Sequence, residues 1–294
     1  MTSPQRTVLI TGCSDGGCGS ALALAFHKSR WRVFASARNP SKLRVVQAAG
    51  IETLPLDITS PSSITAAASH ISSLTSGTLT CLVHNAASGF TMPLVDVDIP
   101  AAKSLFDTNV FSIISVTQAF LPLLRNAAPD AVLVIHTSLS SQCTGMAPFA
   151  GVYNASKAAA AALAETFRSE LAPLGIRTVN ILTGVVKTNF GPNRAVEGKL
   201  PEGSIYAVAR EEAQRVMDNT VIADGWTPER WAEKVVGELS VRRPKYWIWA
   251  GPLSTFVWLA GFLPVGMMDF VLKRVSGLGE LERRMGEVMG GKGK

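Results

Sequence analysis

Cysteine, histidine and tyrosine are scarce in this 294-residue chain, at four, four and three copies. The cysteines (Cys13, Cys18, Cys81 and Cys143) are scattered, without the spacing of metal ligands or of a disulfide framework. A structural zinc site is therefore not expected, and the thiols suit a reducing compartment. No charged-then-apolar leader precedes the first apolar run at residue 7, so the reading expects no secretory signal and an intracellular protein. Net charge is +6 and pI about 9.3, but basic residues gather only near the end of the chain, which gives nucleic-acid binding little support. Internal repeats are lacking, and the alanine run at 158–162 is ordinary helix filler. An acidic residue is missing from one informative place, discussed below.

What is present is alternation. Apolar runs near 7–11, 32–36, 51–56, 80–84, 131–138, 176–182 and 245–249 read as strands. Helical patterns fill the gaps, notably 18–29, 101–126, 152–172, 203–222 and 228–240. Strands alternating with helices predict an α/β fold, a single doubly wound domain over 1–250 with about seven parallel strands and helices on both faces. The first strand runs into T-G-C-S-D-G-G-C-G and then a helix. Strand, Gly-rich turn and helix in that order form a dinucleotide cradle: glycine lets the backbone approach a pyrophosphate, and the helix N-terminus offers free N–H groups. After the second strand, F-A-S-A-R-N-P carries Ser36 and Arg38 but no carboxylate. An arginine there welcomes a 2′-phosphate, so NADP(H) is favoured over NAD(H).

Tyr153 and Lys157 lie four residues apart in V-Y-N-A-S-K-A-A, on one face of a predicted helix. An ammonium beside a phenol is expected to lower the phenol pKa and make it a proton donor or acceptor near neutrality.

With T-G-x-x-x-x-G-x-G, Asn109 and Y-x-x-x-K in order, residues 5 to 250 resemble the short-chain dehydrogenase/reductase family, a Rossmann fold. The details look most like fungal, membrane-associated reductases akin to NADPH-dependent 1-acyldihydroxyacetone-phosphate reductase and hydroxysteroid dehydrogenases. The resemblance implies a phosphate loop of Thr11, Gly12, Gly17 and Gly19, one residue longer than usual, with Ile10, Ser14, Ile58 and Ala86 as further cofactor neighbours. It places Asp57 at the adenine, and has Asn85 brace the fourth strand and hold cofactor. Val186 and Thr188 would meet the carboxamide. Asn109 would kink its helix and hold a water relaying protons towards Lys157, which also binds ribose. His84, Ala87 and Thr183 depart from the family pattern, Thr183 standing in place of Pro; His84 is read as a strand residue with a local partner. The catalytic serine would precede Tyr153 by about thirteen residues, which selects Ser140; the strand end I-H-T-S suggests Ser138, and Ser141 is a third candidate. Homodimers that pair through the helices of Asn109 and Tyr153 are common in the family.

The implied activity is NADPH-dependent reduction of a ketone or aldehyde, with an acyl-dihydroxyacetone phosphate or a fungal secondary metabolite as substrate. Alternatives are oxidation of a sterol or other alcohol, or an NADP-binding regulatory protein without turnover. An irregular lid is expected over about 188–225, with Arg194 and Lys199 available to an anionic head group. From Ala250 to Met268 there is no charge, but Pro252, Gly261, Pro264 and Gly266 interrupt the run. The piece from Leu253 to Leu263 would be about 16 Å long as a helix, short of a hydrocarbon core of roughly 30 Å. Residues 251–294 are thus an apolar, basic helical tail. Either it lies on a membrane, with Trp247, Trp249 and Trp258 at the interface and Lys273, Arg274, Arg283 and Arg284 at head groups, or it covers a dimer partner or its own cleft. The membrane reading places the protein in the cytoplasm or on the cytosolic face of the endoplasmic reticulum or a lipid droplet.

Overall fold

The computed structural model describes residues 5–142, 146–189, 198–218, 225–264 and 266–290. Cys143 and Arg194 lie outside them. The strands are β1 (Thr7–Ile10), β2 (Arg32–Ala37), β3 (Glu52–Pro55), β4 (Cys81–His84), β5 (Val132–His136), β6 (Arg177–Thr183) and β7 (Trp247–Ala250). They form one sheet in the order β3-β2-β1-β4-β5-β6-β7, every pair parallel. Strand order reverses beside β1, which opens a crevice at the carboxyl ends of β1 and β4, where ligands of such sheets bind.

Both faces of the sheet are buried, which explains the continuous apolar strands. Val8 and Ile10 point to one core with Phe26 of α1 (Cys18–Lys28) and Trp231 of α8 (Pro228–Leu239). Leu9 points to the other, with Ile71 of α3 (Pro61–Leu74) and Phe120 of α5 (Ser112–Asn126). Full burial of one such large side chain contributes about 1.5–3 kcal/mol. The short α2 (Arg44–Ala48) precedes β3. Thr227 caps α8 by accepting from the Arg230 N–H, with Pro228 in the first turn, as the sequence predicts.

The helix expected over 101–126 with a kink at Asn109 is α4 (Ile99–Phe106), a π turn (Asp107–Phe111) around Asn109, and α5. The helix expected over 203–222 is a 3-10 turn (Ile205–Ala209) and α7 (Arg210–Asp218), and 219–224 lie outside the described residues. After β7 the tail forms α9 (Ser254–Ala260), α10 (Asp269–Ser276) and α11 (Leu278–Gly290). Among the described residues no helix is long and apolar enough to cross a membrane. The helix α6 (Gly151–Glu170) lies on β5 and β6. Its small Ala160 and Ala164 pack on Ile113 and Ile135, so α6 sits close to the sheet and its first turns overhang the crevice.

Candidate active site

The phosphate loop is tied down by few atoms. The Thr11 hydroxyl donates to the Val83 carbonyl at 3.3 Å and accepts from the Asn85 and Ala86 N–H groups at 3.0 Å each. The Asn85 amide donates to the Thr11 and Gly12 carbonyls at 2.8 and 2.9 Å. Gly12 has φ +74°, and a Cβ there would stand 2.7 Å from the Ala86 Cα. A Cβ on Gly19 would stand 2.3 Å from the Gly12 carbonyl oxygen. At the start of α1, Gly17 makes no side-chain cap and the first turn holds no acid, which leaves the helix dipole to an outside anion. A glycine cradle ending in such a helix fits the pyrophosphate of a dinucleotide.

Other sequence-predicted contacts divide. Arg38 is exposed beside the crevice. Burial pushes the Asp57 carboxyl up, but hydrogen bonds from Thr59 and the Arg38 charge outweigh it and hold the pKa below its usual value. Ser36 is a correction: its hydroxyl is fully buried and donates to the Ile10 carbonyl at 3.0 Å, so it is spent inside the sheet. The Ile10 and Ile58 side chains also belong to the cores. The Gly17 N–H reaches the Ser14 carbonyl at 3.2 Å. Val186 makes a bridge to Trp226, and Thr188, two residues on, lies partly exposed.

At the other end, β5 stops at His136, two residues short of the expected end, and this puts Ser138 past the strand at the crevice. The Ser138 hydroxyl is hydrogen-bonded to the Tyr153 phenol. Ser140 lies in the next 3-10 turn (Leu139–Ser141), and its backbone N–H donates to the Ser138 oxygen at 3.1 Å. Ser141 donates to the Ser138 carbonyl at 2.7 Å. The structure thus brings Ser138 to the phenol, where family spacing selects Ser140; the loop to α6 is two residues longer than that spacing assumes. We expect Ser138→Ala to lower kcat on the order of a hundredfold, the cost of one donor at a developing oxyanion. Ser140→Ala should stay near the parent rate, because its contribution is a backbone N–H; steady-state kinetics on the pair checks this.

The Tyr153 pKa is the second correction. Lys157 is expected to pull it down, yet burial pushes it up to about 12, with the Ser138 hydrogen bond opposing. Lys157 Nζ donates instead to the His136 carbonyl at 3.0 Å and lies 5.9 Å from the Tyr153 ring centroid. Burial lowers the Lys157 pKa to about 8.

Asn109 sits in the π turn, a device common at functional sites. Its amide donates to the Ser88 carbonyl and the Ser156 hydroxyl, both at 3.0 Å, and its oxygen accepts from the Ser88 N–H at 2.8 Å. The side chain is therefore committed, and a water relay towards Lys157 would have to use its backbone. Ser156, which no sequence motif singles out, donates to the Tyr153 carbonyl at 2.7 Å and so links Asn109 to α6. His84 pairs with Thr117 at 2.9 Å and burial lowers its pKa to about 3, as a strand residue with a local partner should behave. Burial raises the Cys13 and Cys18 thiols to about 12, with the Lys157 charge opposing it at Cys18. No cluster of metal-ligating side chains occurs among the described residues.

Comparison with known proteins shows the family. The family model described as short chain dehydrogenase matches residues 6–197. A short-chain dehydrogenase/reductase of Pestalotiopsis microspora is 41% identical over 288 residues, covering 97% of this chain and 99% of that protein. The chain belongs to the short-chain dehydrogenase/reductase family. As a member it is an oxidoreductase acting between CH–OH and C=O groups with a nicotinamide dinucleotide. The family's NADPH-dependent 1-acyldihydroxyacetone phosphate reductase of Schizosaccharomyces pombe is 32% identical over 288 residues, covering 92% of this chain and 94% of that one. A short-chain dehydrogenase structure from Streptomyces avermitilis shares the fold, with a TM-score of 0.74 at 23% identity over 96% of this chain and 99% of that one.

Proposed function

We propose that this short-chain dehydrogenase is an NADPH-dependent reductase of a hydrophobic ketone or aldehyde. The observation that carries the reading is the Tyr153 phenol, hydrogen-bonded to Ser138, with Lys157 one turn further along the same helix. A bound dinucleotide supplies hydride. The chain supplies an acid already loaded for the reductive direction: Tyr153 gives its proton to the carbonyl oxygen, and Ser138 shares the charge developing there. Lys157, held by the His136 carbonyl, offers its charge to the ribose and to the emerging phenolate. Asn109 and Ser156 fix the first turns of α6.

Phe90, Met92, Phe149, Leu200, Tyr206 and Leu281 form an apolar cluster with Tyr153, which supports a lipid-like substrate. The S. pombe relative, by its name, acts on an acylated dihydroxyacetone phosphate. An acyl-dihydroxyacetone phosphate or a polyketide-like ketone therefore heads the panel. NADPH consumption should occur with such carbonyls. Turnover only of alcohols with NADP⁺ would reverse the direction, and tight nucleotide binding with neither activity would indicate a regulatory protein. Arg38 makes the preference testable: Arg38→Glu should weaken NADPH binding roughly ten- to hundredfold and NADH binding little, measured by fluorescence titration.

The tail supports a surface role. Leu278, Leu281 and Met285 of α11 pack on the cluster around Tyr153, so the arm covers its own cleft. Along α9, the turn after it and α10, Phe262 and Phe270 are 75% and 74% exposed, with Trp258, Leu259 and Met267 also exposed. Lys273 pairs with Glu282, and Arg283 and Arg284 with Glu287, at the surface. We take this patch to rest on a cytosolic membrane face. Phe262→Ser with Phe270→Ser should abolish co-sedimentation with neutral vesicles and leave α11 in place; deleting 251–294 would also remove a wall of the cleft. Undiminished sedimentation would end the idea.

A further inference from the structure

His136 is half-buried at the end of β5, and its ring joins two bonded groups of opposite polarity. On one side lies the Asn85 amide, whose NH₂ is spent on the Thr11 and Gly12 carbonyls. Its Oδ1 therefore faces His136 Nδ1, at 3.0 Å, as an acceptor, and Nδ1 must carry the hydrogen. On the other side lies the Thr183 hydroxyl, 2.7 Å from Nε2. Trp231 Nε1 donates to that hydroxyl at 3.2 Å, so the hydroxyl hydrogen is free to point at Nε2. A neutral ring protonated at Nδ1 and bare at Nε2 satisfies both neighbours; burial, which lowers its pKa to about 3, keeps it neutral. The hydrogen bonds then run in one direction, from Trp231 through Thr183, His136 and Asn85 to the phosphate loop. The ring also stacks on Trp231, centroids 4.9 Å apart. The same residue's carbonyl is the acceptor for Lys157 Nζ, at 3.0 Å.

We propose that His136 is a positioning residue that holds the phosphate loop in register with Lys157, through its ring at one end and its carbonyl at the other. The residue touches no substrate atom; it acts through Asn85 and Lys157. Thr183 completes the chain because it is not the proline of the family pattern, which has no hydroxyl to offer. The proposal deepens the cofactor reading and rests on it.

The test separates the two arms. In His136→Asn the amide reaches about as far as Nδ1 and can still donate to Asn85. In His136→Gln it reaches about as far as Nε2 and can still meet only Thr183. Both remove the ring, so a merely structural role would move both equally. Fluorescence titration should give His136→Asn an NADPH dissociation constant close to the parent's and His136→Gln one roughly tenfold weaker, the worth of one buried hydrogen bond. In steady state, His136→Gln should raise the KM for NADPH and leave the KM for carbonyl unchanged. Equal affinities in the two variants would overturn the proposal. Nitrogen NMR of the cofactor-free parent should show the Nδ1–H tautomer of a neutral histidine. The opposite tautomer would also overturn the proposal, and this reading decides the matter if the substitutions prevent folding. A parent chain that bound NADH instead would refute the NADPH reading alone, and the same comparison would then be made with NADH.

Discussion

Tyr153→Phe should lower kcat by about 10²- to 10⁴-fold, the usual worth of a positioned general acid, with NADPH affinity almost unchanged. The substitution removes one oxygen and keeps the ring, which packs in the cluster of Phe90, Met92 and Phe149. The lost phenol leaves the Ser138 hydroxyl with the Ser140 N–H, so the loop keeps an anchor. Lys157 stays on the His136 carbonyl, which does not involve the phenol. Loss of turnover should therefore come without loss of binding or of thermal stability, and three measurements on one variant check it. Turnover at the parent rate would refute the assigned acid. Joint loss of turnover and nucleotide affinity would mean that the ring, not the hydroxyl, is what the site needs.

The fold was legible because its signals are local. Seven apolar strands and the glycine turn can be read from periodicity and from residues that only a tight loop needs, and the strand ends fall within two residues of the expected ones. The pairing of Tyr153 with Lys157 on one helix face was legible for the same reason. What failed depends on contacts between distant segments. The i, i+4 spacing gives proximity but not the direction of a flexible lysine, and Lys157 turns to a carbonyl 21 residues away in sequence. The kink expected at Asn109 is there, but nothing in F-D-T-N-V announces that it takes the form of a π turn. Ser138 and Ser140 differ only by where β5 stops, which pairing with β6 decides. Ser36 has the composition of a ribose ligand, but the alternation of β2 turns its hydroxyl inward to Ile10. His136 carried no motif; a histidine at the end of an apolar strand was the available signal. The return of α11 onto the cluster near Tyr153 is a long-range packing event; the sequence offered it only as one alternative, beside a membrane and a dimer partner.

Gly19→Ala should be strongly damaging, since a single methyl there has no room in the phosphate loop. Its Cβ would meet the Gly12 carbonyl oxygen at 2.3 Å and the Asn85 amide nitrogen at 2.5 Å. Neither can yield cheaply. The Gly12 carbonyl accepts from that same amide, and the amide also holds Thr11, so displacing one atom displaces the end of β1. Overpacking of this kind typically costs about 1–3 kcal/mol, which in the nucleotide-binding state is roughly 5- to 150-fold in affinity. NADPH titration should therefore show a loss in that range, with the melting temperature of the nucleotide-free protein lowered as well. Gly17→Ala should do less, since its Cβ meets only the Ser14 carbonyl, at 3.1 Å. Gly237→Ala is the control: it lies exposed within α8 with nothing within 4 Å of the added Cβ, and alanine there should be neutral or stabilising. A ranking in which Gly17→Ala harms binding more than Gly19→Ala would show that the approach of α1 to the Gly12 carbonyl is not what holds the cradle open.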